Sequence, residues 1–282
     1  MNYRHAYHAG NIGDVLKHFV FARLITYFQR KEKAFRIIDT HAGIGSYDLT
    51  SEETQKTGEW QQGIAKVLKK DKPQQVADLL APWLDVIRSQ NMSDDITVYP
   101  GSPMLARELM RQCDRLTLTE LHPVDFATLA EKFAGDHQVK TIHLDGWLAL
   151  GSFLPPKEKR GLIIIDPAFE ETDEFDRMAK AVTTGWRKFK TGTYVCWYPV
   201  KDRQGIRRFH TALESAGIRD VLTMELSVGH SSPDSAMLGS GMTIINPPYT
   251  LANELRQVLP WLSETLRQGP GAAWNVNQLI SE

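Results

Sequence analysis

The densest chemical signal in this chain is an aspartate that ends a wholly apolar run and is followed by a proline and an aromatic. Gly161-Leu162-Ile163-Ile164-Ile165 leads directly into Asp166-Pro167-Ala168-Phe169. The Asp166 carboxylate and the Pro167 carbonyl are two neighbouring acceptors, suited to the two protons of an exocyclic amino group. The lone pair of an aryl amine is delocalised into its ring and is a poor nucleophile. Hydrogen bonds to both protons favour a pyramidal nitrogen whose lone pair can be aimed at an electrophile, and holding the two reactants in line supplies much of the rate. Pro167 stiffens the turn, having a fixed φ and no N–H. Phe169 offers a stacking face to a base turned out of its stack, worth about 1–3 kcal/mol. A second stretch, Asn246-Pro247-Pro248-Tyr249, has the same pattern of amide or acid, proline and aromatic.

Three further strand ends carry polar groups. Ile37-Ile38-Asp39 runs into Thr40-His41-Ala42-Gly43-Ile44-Gly45-Ser46, and glycines at such a turn let a ligand approach the backbone closely. A dinucleotide fingerprint needs a third glycine where this chain has Asp48, and a pyrophosphate gains nothing from Asp39. Adenosylmethionine, which has no phosphate, suits a short acidic turn better. The run to Thr119-Glu120 places a carboxylate where it can accept hydrogen bonds from both ribose hydroxyls of a nucleoside. The run Val139-Leu144 leads into Asp145-Gly146, a carboxylate beside a backbone N–H that together suit an adenine edge, although Asp-Gly is also an ordinary turn.

The elements that must position these groups alternate apolar strands with amphipathic stretches, the pattern of a parallel α/β sheet. Seven strands are expected: Phe35-Asp39, Leu116-Glu120, Val139-Leu144, Leu162-Asp166, Thr193-Tyr198, Val221-Ser227 and Met242-Asn246. More than 70 residues separate the first two, too many for one crossover helix. Helical spacing at Trp60, Ile64, Val67 and Leu68, and again from Val76 to Ile87, with Pro73 between, predicts a small helical insertion over residues 49–97. Residues 1–48 and 98–282 then form the main domain. Its crossover helix is expected over Pro103-Gln112, capped by Ser102. Near the N-terminus a helix is expected from Asp14 as cap, with Val15, Leu16, Phe19 and Val20 as its apolar face. Ahead of it, Tyr3, Arg4, His5, Tyr7 and His8 suit stacking and phosphate contact.

Composition narrows the classes. The net charge of −1 argues against a protein that coats nucleic acid, though not against an enzyme with a local basic face. Candidate basic patches are Lys66-Lys72, Lys157-Arg160, Arg187-Lys190 and Lys201-Arg208. The two cysteines, Cys113 and Cys196, are too few for a disulfide framework and are read as reduced core side chains. No metal-ligand spacing occurs among the histidines, so no metal is expected. No secretory signal and no apolar run of membrane-spanning length are found, and a cytoplasmic location is expected.

Taken together, YRHAYHAGNIGDVLKHFV, DTHAGIGSYDL, TGEW, YPGSP, LTELHP, DGW, GLIIIDPAFE, WYPV and INPPY resemble the ribosomal RNA large subunit methyltransferase J family over nearly the whole chain. The resemblance implies a seven-stranded Rossmann-like class I methyltransferase sheet. It implies N6-methylation of one adenine in 23S rRNA, on free rRNA or an assembly intermediate, with S-adenosyl-L-methionine as donor and S-adenosylhomocysteine as product. It implies that His18, His41, Ser102, Glu120, Asp145, Gly146 and Asp166 line the cofactor pocket, that Asp166 is catalytic, and that Tyr3 touches RNA. Lys17 lies in the same motif as Tyr3 and joins Pro167 and Phe169 as a substrate-side candidate. In such sheets the seventh strand is antiparallel, which sends Asn246 to the edge opposite Asp166. Members look like monomers.

One departure stands out. The family it resembles usually has a second proline and a tyrosine where this chain has Ala168 and Phe169. Phenylalanine keeps the stacking face, and both acceptors remain, so activity is expected to survive. DNA adenine-N6 methylation and a non-catalytic RNA-binding role in assembly remain as alternatives. A nicotinamide dehydrogenase ranks behind them.

Overall fold

Strands covered on both faces need apolar side chains on both, and Ile37-Ile38 and Leu162-Ile165 supply them. Ile37, Leu162 and Ile164 pack into one core and Ile38, Ile163 and Ile165 into another, the alternation that a strand's two-residue period imposes. The computed structural model describes residues 4–92, 95–229 and 239–281. Its strands are β1 (Arg36–Asp39), β2 (Ser46–Asp48), β3 (Val98–Pro100), β4 (Arg115–Glu120) and β5 (Val139–His143), then β6 (Gly161–Ile165), β7 (Thr193–Pro199), β8 (Val221–Val228), β9 (Gly239–Ile245) and β10 (Ala272–Ile280). The helices are α1 (Ile12–Phe28), α2 (Glu52–Thr57), α3 (Glu59–Gln62), α4 (Ile64–Lys69), α5 (Gln74–Ser89) and α6 (Ser102–Leu109), then α7 (Pro123–Lys132), α8 (Gly146–Ser152), α9 (Glu174–Lys188), α10 (Arg203–Ser215) and α11 (Leu251–Thr265).

The main sheet has the order β5-β4-β1-β6-β7-β9-β8-β10. From β5 to β7 every pairing is parallel. Strand β9 runs antiparallel to both β7 and β8. Order therefore reverses at β1: the chain runs outward from β1 to β4 and β5, then returns from β5 to β6 on the other side of β1, and the carboxyl ends of β1, β4 and β6 open onto the resulting crevice. Helices α1, α5, α6 and α11 cover one face. Helices α8, α9 and α10 cover the other.

The seven expected strands are all present, and an eighth joins them. Strand β10 pairs antiparallel with β8 at the sheet edge. Only Val276 and Ile280 of its nine residues are buried, so it carries little of the apolar signal that marks a covered strand.

Between β1 and β4, β2 and β3 pair antiparallel. Residues 49–97 rise between them as helices α2 to α5, and their apolar residues share a core with α1. Pro73 lies between α4, which ends at Lys69, and α5, whose N-cap position it occupies.

Four local expectations change. Asn11, not Asp14, caps α1, its side chain accepting from the Asp14 amide. That helix has no single apolar face, because Ile12 to Ile25 are all buried. Gly101 caps α6, which stops at Leu109, and Ser102 is its first helical residue. Cys113 is exposed and only Cys196 is in the core.

Candidate active site

The carboxyl ends of the parallel strands bring the polar strand-end residues to one crevice. After β1 the chain turns through Gly43 at φ 61, where a Cβ would stand 2.3 Å from the Tyr47 hydroxyl, so a side chain there would collide. The Glu120 carboxylate at the end of β4 holds this turn, accepting from the Gly43 amide at 2.8 Å and the His122 amide at 2.7 Å. Asp145 caps α8, accepting from the Trp147 amide at 2.9 Å, and Gly146 lies against Thr40, where a Cβ would stand 2.0 Å from the carbonyl oxygen. Ser102 donates to Asp39 at 2.6 Å rather than to the start of its own helix. His18, His41, Ser102, Glu120, Asp145, Gly146 and Asp166 all line this cleft of about 240 Å³.

Charge in the cleft is organised by α1. Lys17 is buried and bridges Asp14, at 2.9 Å, and Asp166. Burial disfavours its charged form, but the two carboxylates outweigh this and raise its pKa. Burial likewise opposes ionisation of Asp14. Its contacts with His5 and Lys17 overcome that and hold it well below the usual carboxylate range. Asp14 also accepts from His5 at 2.9 Å and from the Gly10 amide at 2.8 Å. Burial pushes His18 down to about 3 and keeps it neutral beside the Tyr99 hydroxyl, 2.8 Å away. His41 falls to about 3 through burial and the nearby Arg177. Asp39 moves the other way, pushed up to about 7 by burial, despite hydrogen bonds from Ser102 and the His41 amide.

A second cleft, of about 460 Å³, lies on the far side of Asp166. Phe169, Trp197 and Lys201 line it, and His5, Lys17, Asp166 and Ala168 line both clefts. The Phe169 ring sits 4.9 Å from Phe175 and 5.9 Å from Trp197, between centroids. Its backbone is held at φ 52, a left-handed conformation costing about 1–2 kcal/mol in a residue with a Cβ. Pro167 belongs to the first cleft.

Asn246 is at the other edge of the sheet. Because β9 is antiparallel, its carboxyl end meets the amino ends of β6 and β7, and Asn246 donates to the Lys190 and Gly192 carbonyls at 2.7 Å each. Asn246 to Tyr249 line a separate cleft with Lys159, Gly161 and Thr193. Tyr3 lies outside the described residues. Asp14, Trp197 and Arg177 are parts of the site that sequence reasoning did not single out as such. Trp197, near the carboxyl end of β7, could have been found from its strand position alone. Asp14 was taken for a helix cap.

An open sheet with five parallel strands, a reversal at β1, an antiparallel strand inserted beyond β7 and an acidic cleft over the parallel carboxyl ends is the architecture of a Rossmann-like class I methyltransferase. Residues 32–279 match the model of the family described as Ribosomal RNA large subunit methyltransferase D, RlmJ, and the chain belongs to that family. It is 40% identical over 284 residues to the ribosomal RNA large subunit methyltransferase J of Haemophilus influenzae, with 100% of each chain covered. It is 42% identical over 283 residues to the protein of that name from Escherichia coli, again with 100% of each covered. A crystal structure of a Legionella pneumophila protein, 34% identical, superposes with a TM-score of 0.87 over 96% of this chain and 98% of that one. No helix among the described residues is long and apolar enough to cross a membrane.

Proposed function

We propose that this protein transfers a methyl group from S-adenosylmethionine to the N6 amino group of an adenine in 23S rRNA, acting as a cytoplasmic monomer on free rRNA or an assembly intermediate. The observation that carries the reading is the junction of two clefts at Asp166, one rich in acceptors and one walled by aromatic rings. Both relatives named above are ribosomal RNA large subunit methyltransferases, which supports rRNA as the substrate class.

The residues present fit the cofactor. A nucleoside offers hydroxyl and amino donors, and the first cleft meets them with the carboxylates of Glu120 and Asp145. Glu120 would hold the ribose, Asp145 and Gly146 the adenine edge, and His18, His41 and Ser102 the remaining wall. When bound, adenosylmethionine supplies an electrophilic methyl group on a sulfonium.

On the substrate side, Lys17 occupies Asp166 Oδ2, and among the described residues Oδ1 has no partner. Oδ1 is thus the oxygen for one N6 proton, with the Pro167 carbonyl for the other. Lys17 orients the carboxylate by holding its second oxygen. Phe169 and Trp197 would stack the flipped base, and Lys201 at the cleft would meet a phosphate. Tyr3 would touch the RNA. Residues 49–97 would form a helical insertion subdomain.

The test is transfer of labelled methyl from adenosylmethionine to protein-free 23S rRNA, with duplex DNA alongside and N6-methyladenine identified by mass spectrometry. Label on one adenine of the rRNA is the expected result. Transfer to DNA and not to rRNA would sink the reading. So would transfer to neither with intact cofactor binding, which would favour a non-catalytic role.

A further inference from the structure

The Thr57-Gly58-Glu59-Trp60 stretch belongs to the helical insertion, yet each residue of it serves the N-terminal segment. The Thr57 hydroxyl donates to the Tyr7 carbonyl. Gly58, at φ 61, ends α2 and starts α3, which sets Glu59 at the head of α3. The Glu59 carboxylate binds His8 Nδ1 at 3.0 Å and accepts from the Asn11 side-chain amide at 3.0 Å. Trp60 and Ile64 press on Gly10, where a Cβ would stand 3.1 Å and 2.9 Å from them. Just beyond, the Ile64 amide donates to the Gly10 carbonyl at 2.9 Å. Gly63 passes so close that a Cβ there would stand 2.1 Å from that same carbonyl oxygen.

The clamped residues are the ones that build the charge relay. Glu59 fixes the Asn11 amide by its nitrogen, which leaves Asn11 Oδ1 to accept from the Asp14 amide at 3.0 Å and cap α1. Asp14 receives the Gly10 amide from the clamped segment and His5 from just before it, and faces Lys17. Lys17 holds Asp166. A chain of direct contacts therefore runs from Glu59 through Asn11, Asp14 and Lys17 to Asp166.

We propose that Glu59 is a positioning residue for methyl transfer: by clamping residues 8–11 it sets Asp14 and Lys17, and hence the Asp166 carboxylate, in the productive geometry. This rests on the methyl-transfer reading above. Glu59 also lines the second cleft, with His8 and Asn11, but its assigned role runs through Asn11, Asp14 and Lys17 and not through the reacting atoms. It also explains why a helical insertion sits between β1 and β4, since its first three helices bear on residues 5–11.

Two variants break the clamp by unrelated means: Glu59→Ala removes its charge, and Gly63→Ala drives α4 off the Gly10 carbonyl. Each is expected to lower kcat by about 10- to 100-fold, the scale of an ångström-level misplacement at a reacting centre. KM for 23S rRNA and calorimetric Kd for adenosylhomocysteine should each move by less than about threefold, as expected when ground-state binding is spared. Glu59→Gln, which keeps one acceptor oxygen, should be intermediate. Amide hydrogen exchange, measured without turnover, should accelerate in a peptide covering residues 4–14 of both variants. Faster exchange with unchanged kcat would overturn the positioning role. A rise in KM alone, with unchanged exchange, would also overturn it and place Glu59 in direct contact with RNA. A wild-type protein that transfers nothing to rRNA removes the methyl-transfer reading and the positioning role with it. That outcome is told apart because the exchange arm still reports the clamp.

Discussion

Asp39 makes the most quantitative prediction. It ends β1, is buried, and has its carboxyl pushed up to about 7 from the usual 3.8. In the unfolded chain it ionises near 4, so between the two values folding requires the bound proton to be kept. A raised folded pKa means that its contribution to stability is fully present below pH 4 and is lost as pH rises through 7. At 1.36 kcal/mol per pKa unit, roughly three units make the stability lost, relative to pH below 4, about 4 kcal/mol at pH 8 and about 1.7 kcal/mol at pH 5. Asp39→Asn removes the titration. It also changes two hydrogen bonds, because Ser102 and the His41 amide both donate to this carboxyl and an amide has only one oxygen. An unmatched buried donor costs about 1–3 kcal/mol at any pH. The absolute gain at pH 8 is therefore about 1–3 kcal/mol. The change in the difference between variant and wild type is cleaner, because the hydrogen-bond cost cancels. Urea denaturation at pH 5 and pH 8 should show that difference moving by about 2.5 kcal/mol in favour of the variant. A difference that does not change with pH would refute the reasoning, since it would mean that Asp39 ionises in the folded protein as it does unfolded.

Four further outcomes are expected. Asp166→Asn should lower kcat at least about 100-fold. By contrast, Asn246→Ala should retain turnover and lose about 2 kcal/mol of stability, from two backbone-directed hydrogen bonds and a residue at φ 52; the opposite pattern in a turnover assay would reverse the assignment of the site. Phe169→Ala should raise KM for rRNA by about 5- to 150-fold, the equivalent of one lost stacking contact. Its Kd for adenosylhomocysteine by calorimetry should hold, and equal losses would argue against stacking. Gly146→Ala forces a Cβ within 2.0 Å of the Thr40 carbonyl, so calorimetry should show cofactor binding weakened by more than about tenfold; unchanged affinity would remove Gly146 from the cofactor wall.

Much of the fold was legible because covered strands are apolar along their whole length. Leu162 to Ile165 are fully buried, and the residue that ends such a run must emerge at the sheet edge. That makes Glu120 and Asp166 legible in the sequence, whereas Asp145 follows the half-buried to exposed β5 and is legible only from its Asp-Gly turn. Strand β10 was not legible, since most of its residues face solvent. The roles of Asp14 and Ser102 were misread for a related reason. A polar residue near a helix start is ordinarily a cap, but here both are turned inward, Asp14 to Lys17 and Ser102 to Asp39. Ser102 reaches Asp39 across 63 positions and Asp14 meets Lys17, whose other partner is 149 positions away.

The residue types at the strand ends, and so the set of acceptors available to a nucleoside and an amino group, were determined by the sequence alone, because strand periodicity and turn chemistry are local. That the two similar four-residue stretches stand at opposite edges of the sheet, as the resemblance implied, is a matter of tertiary structure. Asn246 follows a strand that inserts antiparallel beside β7, so chain direction carries it to the opposite edge. The partner of Asp166 was likewise a tertiary matter. Lys17 reaches it from α1 because that helix is buried nearly all round, and a charge inside such packing is stable only where opposite charges meet it.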